Sequence, residues 1–189
     1  TEYYFDDTTG VQVKGNFASN GKYYDARSGA PETNSYVQVG QDWYYVDKEG
    51  KIYNGVKDLG GIQYYFRDGE KVKGDFDYSN DNLYYYDKET GVLVTGKYFE
   101  YKNNWYYANS KGNILTGKQV IDGKHVYFYD EDYKYGQYKG IQAKDKLIIL
   151  NGKTYYYLSG SGNRAENVTL TINHVTYYFD NDGVGHILR

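Results

Sequence analysis

The chain has no cysteine and no methionine, and one proline among its 189 residues. Without cysteine there is no disulfide framework, thiol nucleophile or thiolate metal ligand, and the redox compartment is left open. Leucine and isoleucine are sparse, which excludes a large aliphatic core. No apolar run approaches the roughly 20 residues of a membrane-spanning helix, and no signal-peptide core is present. Charge is nearly balanced, 22 basic against 25 acidic side chains for a net −3. No basic stripe marks a nucleic-acid partner. The chain starts at Thr1 rather than Met, and is read as a processed form or a fragment of a longer protein.

What the chain does have is 28 tyrosines and 23 glycines. Tyrosine favours strands and glycine marks turns, so the balance points to an all-β protein with a thin aromatic core. The aromatics are periodic. Doublets or triplets begin at Tyr3, Tyr23, Tyr44, Tyr64, Tyr84, Tyr106, Tyr127, Tyr155 and Tyr177, at spacings of 20 to 22 apart from a step of 28 after Tyr127. Lys144 to Leu150, inside that step, reads as an inserted strand near 141–151. A fixed period of this length is the signature of a repeat architecture. The expectation is one domain over 1–189: an elongated β-solenoid of about nine stacked hairpins of about 21 residues.

The first copy, Tyr3-Tyr4-Phe5-Asp6-Asp7-Thr8-Thr9-Gly10-Val11-Gln12-Val13-Lys14-Gly15, gives the plan. An aromatic strand leads through a polar turn to a short return strand, and the two are expected to pair. Strand alternation then places Tyr3, Phe5, Val11 and Val13 inside, with Tyr4, Gln12 and Lys14 outside. A one-residue slip would exchange the faces. A ring beside an amide and an ammonium suits a sugar. The C–H face of a pyranose lies on an aromatic plane, while Gln and Lys serve its hydroxyls.

Chemistry of other kinds finds little support. His125, His174 and His186 lack metal-ligand spacing. Asp180-Asn181-Asp182-Gly183 places its glycine too early for a calcium loop. Asn167-Val168-Thr169 is formally a glycosylation sequon. A glycosidase needs two carboxylates at a set separation. Here the carboxylates sit mainly in exposed turns, where nothing would shift their pKa. No catalytic residue, metal or cofactor is expected.

The first copy, Thr116-Gly117-Lys118-Gln119-Val120-Ile121-Asp122-Gly123-Lys124-His125-Val126-Tyr127-Phe128 and Gly136-Gln137-Tyr138-Lys139-Gly140 resemble the glucan-binding, or cell-wall-binding, repeats of bacterial glucansucrases. The resemblance implies a secreted, extracellular or cell-wall-associated, non-catalytic module within a larger parent chain. Its partner would be α-glucan, dextran or isomaltooligosaccharide, with neither nucleic acid nor membrane involved. It also implies pockets built from an aromatic platform with nearby Gln and Lys. The candidate ligand residues are Tyr4, Gln12, Lys14, Tyr24, Tyr65, Lys71, Lys73, Tyr85, Gln119, Phe128, Gln137 and Lys139. Choline-binding modules carry related repeats but rely on a tryptophan-rich cage, and only Trp43 and Trp105 exist here. A spacer or protein-interaction array without sugar affinity remains open, as does, more distantly, a small glycoside-acting enzyme.

Overall fold

Each aromatic run after the first forms the second strand of an antiparallel hairpin. The computed structural model describes residues 2–130 and 139–188; among them every regular element is a strand. The chain divides into two compact units, Thr1–Val94 and Thr95–Arg189.

In the first unit β1 (Asn16–Phe17) pairs with β2 (Tyr23–Tyr24), and β3 (Ser35–Val39) with β4 (Asp42–Val46). β5 (Gly55–Leu59), β6 (Ile62–Arg67) and β7 (Glu70–Lys71) form a three-stranded sheet, and β8 (Asp75–Ser79) pairs with β9 (Asn82–Tyr86). In the second unit β10 (Lys97–Tyr101) pairs with β11 (Asn104–Ala108), and β12 (Gly117–Ile121) with β13 (Lys124–Phe128). β14 (Lys146–Leu150) pairs with β15 (Lys153–Tyr157). β16 (Val168–Ile172), β17 (Val175–Phe179) and β18 (Gly185–Ile187) close that unit as a three-stranded sheet.

The tight turns explain this pairing. Asn80-Asp81, Asp122-Gly123 and Asn151-Gly152 hold positive φ at both positions, between 49° and 74°. That is the two-residue turn whose twist matches a hairpin, and Asn, Asp and Gly tolerate it. The strand before each such turn therefore takes the full ladder. The expected partner, the return segment after the aromatics, gets a single bridge in most copies: Phe5 with Gln12, Tyr86 with Leu93, Phe128 with Gln142, Tyr157 with Arg164. It cannot ladder further because its backbone is shared with the preceding hairpin. Leu93 donates to the Gln63 carbonyl at 3.0 Å, Gln142 to that of Trp105 at 2.7 Å, and Arg164 to that of His125 at 2.7 Å.

Lys146–Leu150 is therefore no insertion. It fills the place that Gly117–Ile121 fills one hairpin earlier. The extra residues lie between Phe128 and its bridge partner Gln142, fourteen apart against seven for Tyr157 and Arg164.

The core is a succession of small clusters rather than one centre. A ring of one copy packs on a ring of the next: Tyr4 on Tyr24, Tyr45 on Phe66, Tyr65 on Tyr86, Tyr127 on Tyr157 and Tyr156 on Phe179. Their centroids are 5.1 to 6.1 Å apart and their planes 27° to 37° from parallel. Offset pairs of this kind add about 0.5–1.5 kcal/mol each beyond the area they bury. Burial pushes the Tyr157 phenol up to about 12 and raises that of Tyr86 as well.

This ladder overturns the expected faces. Tyr3, Phe5 and Val11 are exposed, while Tyr24 and Phe128 are 0% exposed and Tyr85 is also buried. The central rings point inward because the next hairpin packs on them.

Candidate saccharide site

Two exposed rings stand one residue before an aromatic run. Trp43 and Trp105 open Trp-Tyr-Tyr on β4 and β11 and remain 55% and 39% exposed. The sequence expectation counted them against a choline cage without assigning them to a site. Their shared position within the repeat was the available signal.

Around Trp105 the second unit brings an ammonium to the exposed ring. Gln142 bridges Phe128 and takes the Trp105 carbonyl with its backbone N–H, so the return segment lies along β11. Alternation sends Ala143 into the core and turns Gln142 and Lys144 the other way, where Gln142 is 5% exposed beneath the Ser161-Gly162 turn and Lys144 is half-buried. The Gln142 side chain crosses Gly162, where a Cβ would stand 2.7 Å from Gln142 Cδ. Only glycine leaves that room. The amide donates to the Ser161 carbonyl at 3.2 Å and Lys144 Nζ to the Gly160 carbonyl at 3.2 Å. Lys144 Nζ also stands 5.0 Å from the Trp105 ring centroid.

The first copy repeats half of this arrangement. Gln12 and Lys14 straddle Gly29, and Lys14 Nζ donates to the Arg27 carbonyl at 3.2 Å. Both pairs thus pack on a Ser-Gly turn, Ser28-Gly29 in one case and Ser161-Gly162 in the other. In the first unit β7, which carries Lys71, lies against β4, which carries Trp43. Lys71 stretches over Gly91, with Nζ 4.8 Å from the Tyr64 centroid, and burial lowers its pKa. Lys73 is exposed.

The remaining candidates scatter. Tyr24, Tyr85 and Phe128 offer no ring face to a ligand because they are packed in the core. Tyr4 and Tyr65 belong to the ring ladder, and the Tyr4 hydroxyl bonds Ser19 and Asp7. The Gln119 amide donates to the Thr116 carbonyl at 2.6 Å. Lys139 is half-buried in the turn before Gly140. Gln137 lies outside the described residues. Gln142, Lys144, Trp43 and Trp105 were missed.

Elsewhere the chain's own cations occupy aromatic notches. Lys57 Nζ lies 5.5 Å from the Tyr45 centroid and 5.2 Å from that of Tyr53. A quaternary ammonium would find that place taken.

Residues 115–168, which include Gln142 and Lys144, match the choline-binding repeat family. Glucosyltransferase-S of Streptococcus mutans is 36% identical over 169 residues, 86% of this chain. Glucosyltransferase-I of Streptococcus downei is 36% identical over 161 residues, 82% of this chain. The chain spans only 11% and 10% of those two proteins, so what is shared is a domain-sized stretch. Among solved structures, choline binding protein F of Streptococcus pneumoniae is similar at 25% identity and a TM-score of 0.71, over 97% of this chain and 60% of that one. The same protein in the presence of a peptidoglycan analogue is similar at 26% identity and a TM-score of 0.66, over 97% of this chain and 54% of that one.

Proposed function

We propose that this chain, a repeat domain homologous to a stretch of streptococcal glucosyltransferases and matching the choline-binding repeat family over 115–168, binds α-glucan without chemistry of its own. The observation that carries the reading is the exposed Trp105 indole with the Lys144 ammonium beside it, 5.0 Å from the ring centroid. The indole receives the C–H face of a glucosyl unit, and the Lys144 ammonium serves its hydroxyls, while the buried Gln142 amide holds the Ser161-Gly162 turn beneath them. Gln12 with Lys14, and Trp43 on its own, form lesser sites. One such contact gives a dissociation constant on the order of 1 mM, about −4 kcal/mol. Several on one polymer tighten the hold by roughly a hundredfold through effective concentration. A dextran-like chain is retained in this way near the catalytic part of a secreted, cell-wall-associated glucansucrase.

Affinity electrophoresis tests the reading directly. Dextran in the gel should retard the chain, and Trp105→Ala should abolish most of the retardation. Mobility unchanged by dextran, mutan and starch would favour a spacer array instead. The family match favours choline as a second ligand. Free choline should then displace the chain from dextran, an outcome that the ammonium of Lys144 beside Trp105 argues against.

A further inference from the structure

One hairpin beyond the Trp105 site, the same three positions carry a different chemistry. His125 stands where Trp105 stood, Arg164 where Gln142 stood, and Glu166 where Lys144 stood. The equivalence is set by the backbone. Arg164 bridges Tyr157 as Gln142 bridges Phe128, and its N–H takes the His125 carbonyl as Gln142 takes that of Trp105. Ala165 is buried between Arg164 and Glu166, as Ala143 is between Gln142 and Lys144.

The three charged groups form one cluster. Glu166 Oε1 lies 2.7 Å from His125 Nδ1, accepts from Arg164 Nε at 2.9 Å and lies 2.8 Å from Arg164 Nη2, which is also 3.2 Å from His125 Nδ1. Burial pushes the Glu166 carboxyl up, but the hydrogen bonds from His125 and Arg164 outweigh it and hold it below its usual range. From the other side Lys118 Nζ reaches over Tyr155, 4.0 Å from the ring centroid, and the Arg164 guanidinium lies 5.9 Å from the same centroid. Lys118 has no carboxylate partner among the described residues. A pocket of about 80 Å³ opens here, lined by Lys118, Gln119, His125, Tyr157 and Arg164.

The lining decides the ligand. It supplies an ammonium, a guanidinium, an imidazole and an amide, and no carboxylate. Glu166 is already engaged with Arg164 and His125, so among the described residues no carboxylate is left for the lysine. Donors of this kind are best matched by an anion rich in acceptors. Unlike Trp105, the Tyr155 ring is buried, so no exposed aromatic face is offered here to a neutral sugar. We infer that this pocket binds an anionic group, a carboxylate or a phosphate, carried on a saccharide or free. It is a site distinct from the neutral-glucan site at Trp105, and it stands whether or not that site binds dextran.

With three histidines in the chain, the His125 imidazole resonances are a direct reporter. The full chain is titrated with inorganic phosphate, glucuronate and glucose in turn. Phosphate or glucuronate should move the His125 signals saturably, with a dissociation constant on the order of 1–10 mM, and glucose should not. Tighter phosphate assigns the site to phosphate, and tighter glucuronate to an acidic sugar. Lys118→Gln, at an exposed position, should weaken the anion by about fivefold or more with an unchanged circular dichroism spectrum. Equal responses to glucose and glucuronate, silence of His125 towards both anions, or full affinity in Lys118→Gln would each overturn the assignment. Dextran retardation of the same Lys118→Gln sample reads the Trp105 site separately and should not change.

Discussion

Lys144 Nζ stands 5.0 Å from the centroid of Trp105, although the two residues are 39 positions apart, one on β11 and the other in the segment that leads into β14. Both ends of that relationship are fixed by backbone. The Trp105 carbonyl accepts the Gln142 N–H at 2.7 Å, and the Gly160 carbonyl accepts the Lys144 ammonium at 3.2 Å. The pair is presented ready-made rather than assembled around a ligand, which keeps the ordering cost of binding low.

The first prediction follows from that presentation. Trp105→Ala and Lys144→Ala should each raise the dextran concentration needed for half-retardation, by about tenfold for the ring and less for the lysine. Trp43→Ala should have a smaller effect of the same sign. Gln142→Ala should weaken retention while Gln137→Ala leaves it unchanged. Loss of retention in Gln137→Ala alone would move the site into the 130–139 segment.

A second prediction concerns the glycine beneath the amide. Gly162 has a φ of 70°, and a Cβ there would meet Gln142 Cδ at 2.7 Å and the Ala143 carbonyl at 3.1 Å. Gly152 has a φ of 74° with nothing within 4 Å of the same point. Both alanine substitutions incur the left-handed strain of about 1–2 kcal/mol. Only Gly162→Ala should add about 1–3 kcal/mol of overpacking and displace Gln142. Thermal melts should therefore rank Gly162→Ala well below Gly152→Ala, and only the former should lose dextran retention.

Much of this fold could be read from the chain, and the failures have physical causes. The aromatic period located the eight hairpins among the described residues, because each needs a hydrophobic strand and a Gly, Asn or Asp turn; the first of the nine runs makes only the Phe5–Gln12 bridge. Which neighbour takes the ladder could not be read, since the strands on either side of Tyr84-Tyr85-Tyr86 are both short and alternating. The answer lies in Asn80-Asp81, whose positive φ at both positions makes the preceding turn the tight one. The wrong partner then misplaced the rings. Tyr24 and Phe128 were taken as platforms because nothing local to them announces the ring of the adjoining copy. Gln137-Tyr138-Lys139-Gly140 copies Gln12-Val13-Lys14-Gly15 more closely than Gln142-Ala143-Lys144 does. The residues added after Phe128 nevertheless pass the bridge position to Gln142.

The burial of Phe128 supplies a third prediction. It is 0% exposed, packs with Ile121 and Val126, and has its ring 6.4 Å from that of Tyr98. Phe128→Ala should cost about 3–5 kcal/mol by opening a cavity, not by removing a sugar contact. Chemical denaturation should show a large fall in the midpoint. At a temperature where the variant is still folded, its dextran retention should match that of the parent. A variant of full stability and lost retention would return Phe128 to the surface.

Alkaline titration gives a fourth. The Tyr157 phenol is held up to about 12 by burial, and Tyr86 is raised by burial and by the nearby Asp77 carboxylate. In an unfolded chain both would ionise near 10. A group whose folded pKa lies above its unfolded value contributes stability that is fully present below the unfolded pKa and fades as pH climbs towards the folded one. Stability should thus hold up to about pH 10 and decline between there and about 12. The two tyrosines lie in different units, so Tyr157→Phe should ease the decline in Thr95–Arg189 and Tyr86→Phe that in Thr1–Val94. Melting temperatures taken with phenolate absorbance across this range would check it. A stability profile that stays flat to pH 12 would mean that neither phenol is sealed by its ring partner, Tyr127 for Tyr157 and Tyr65 for Tyr86.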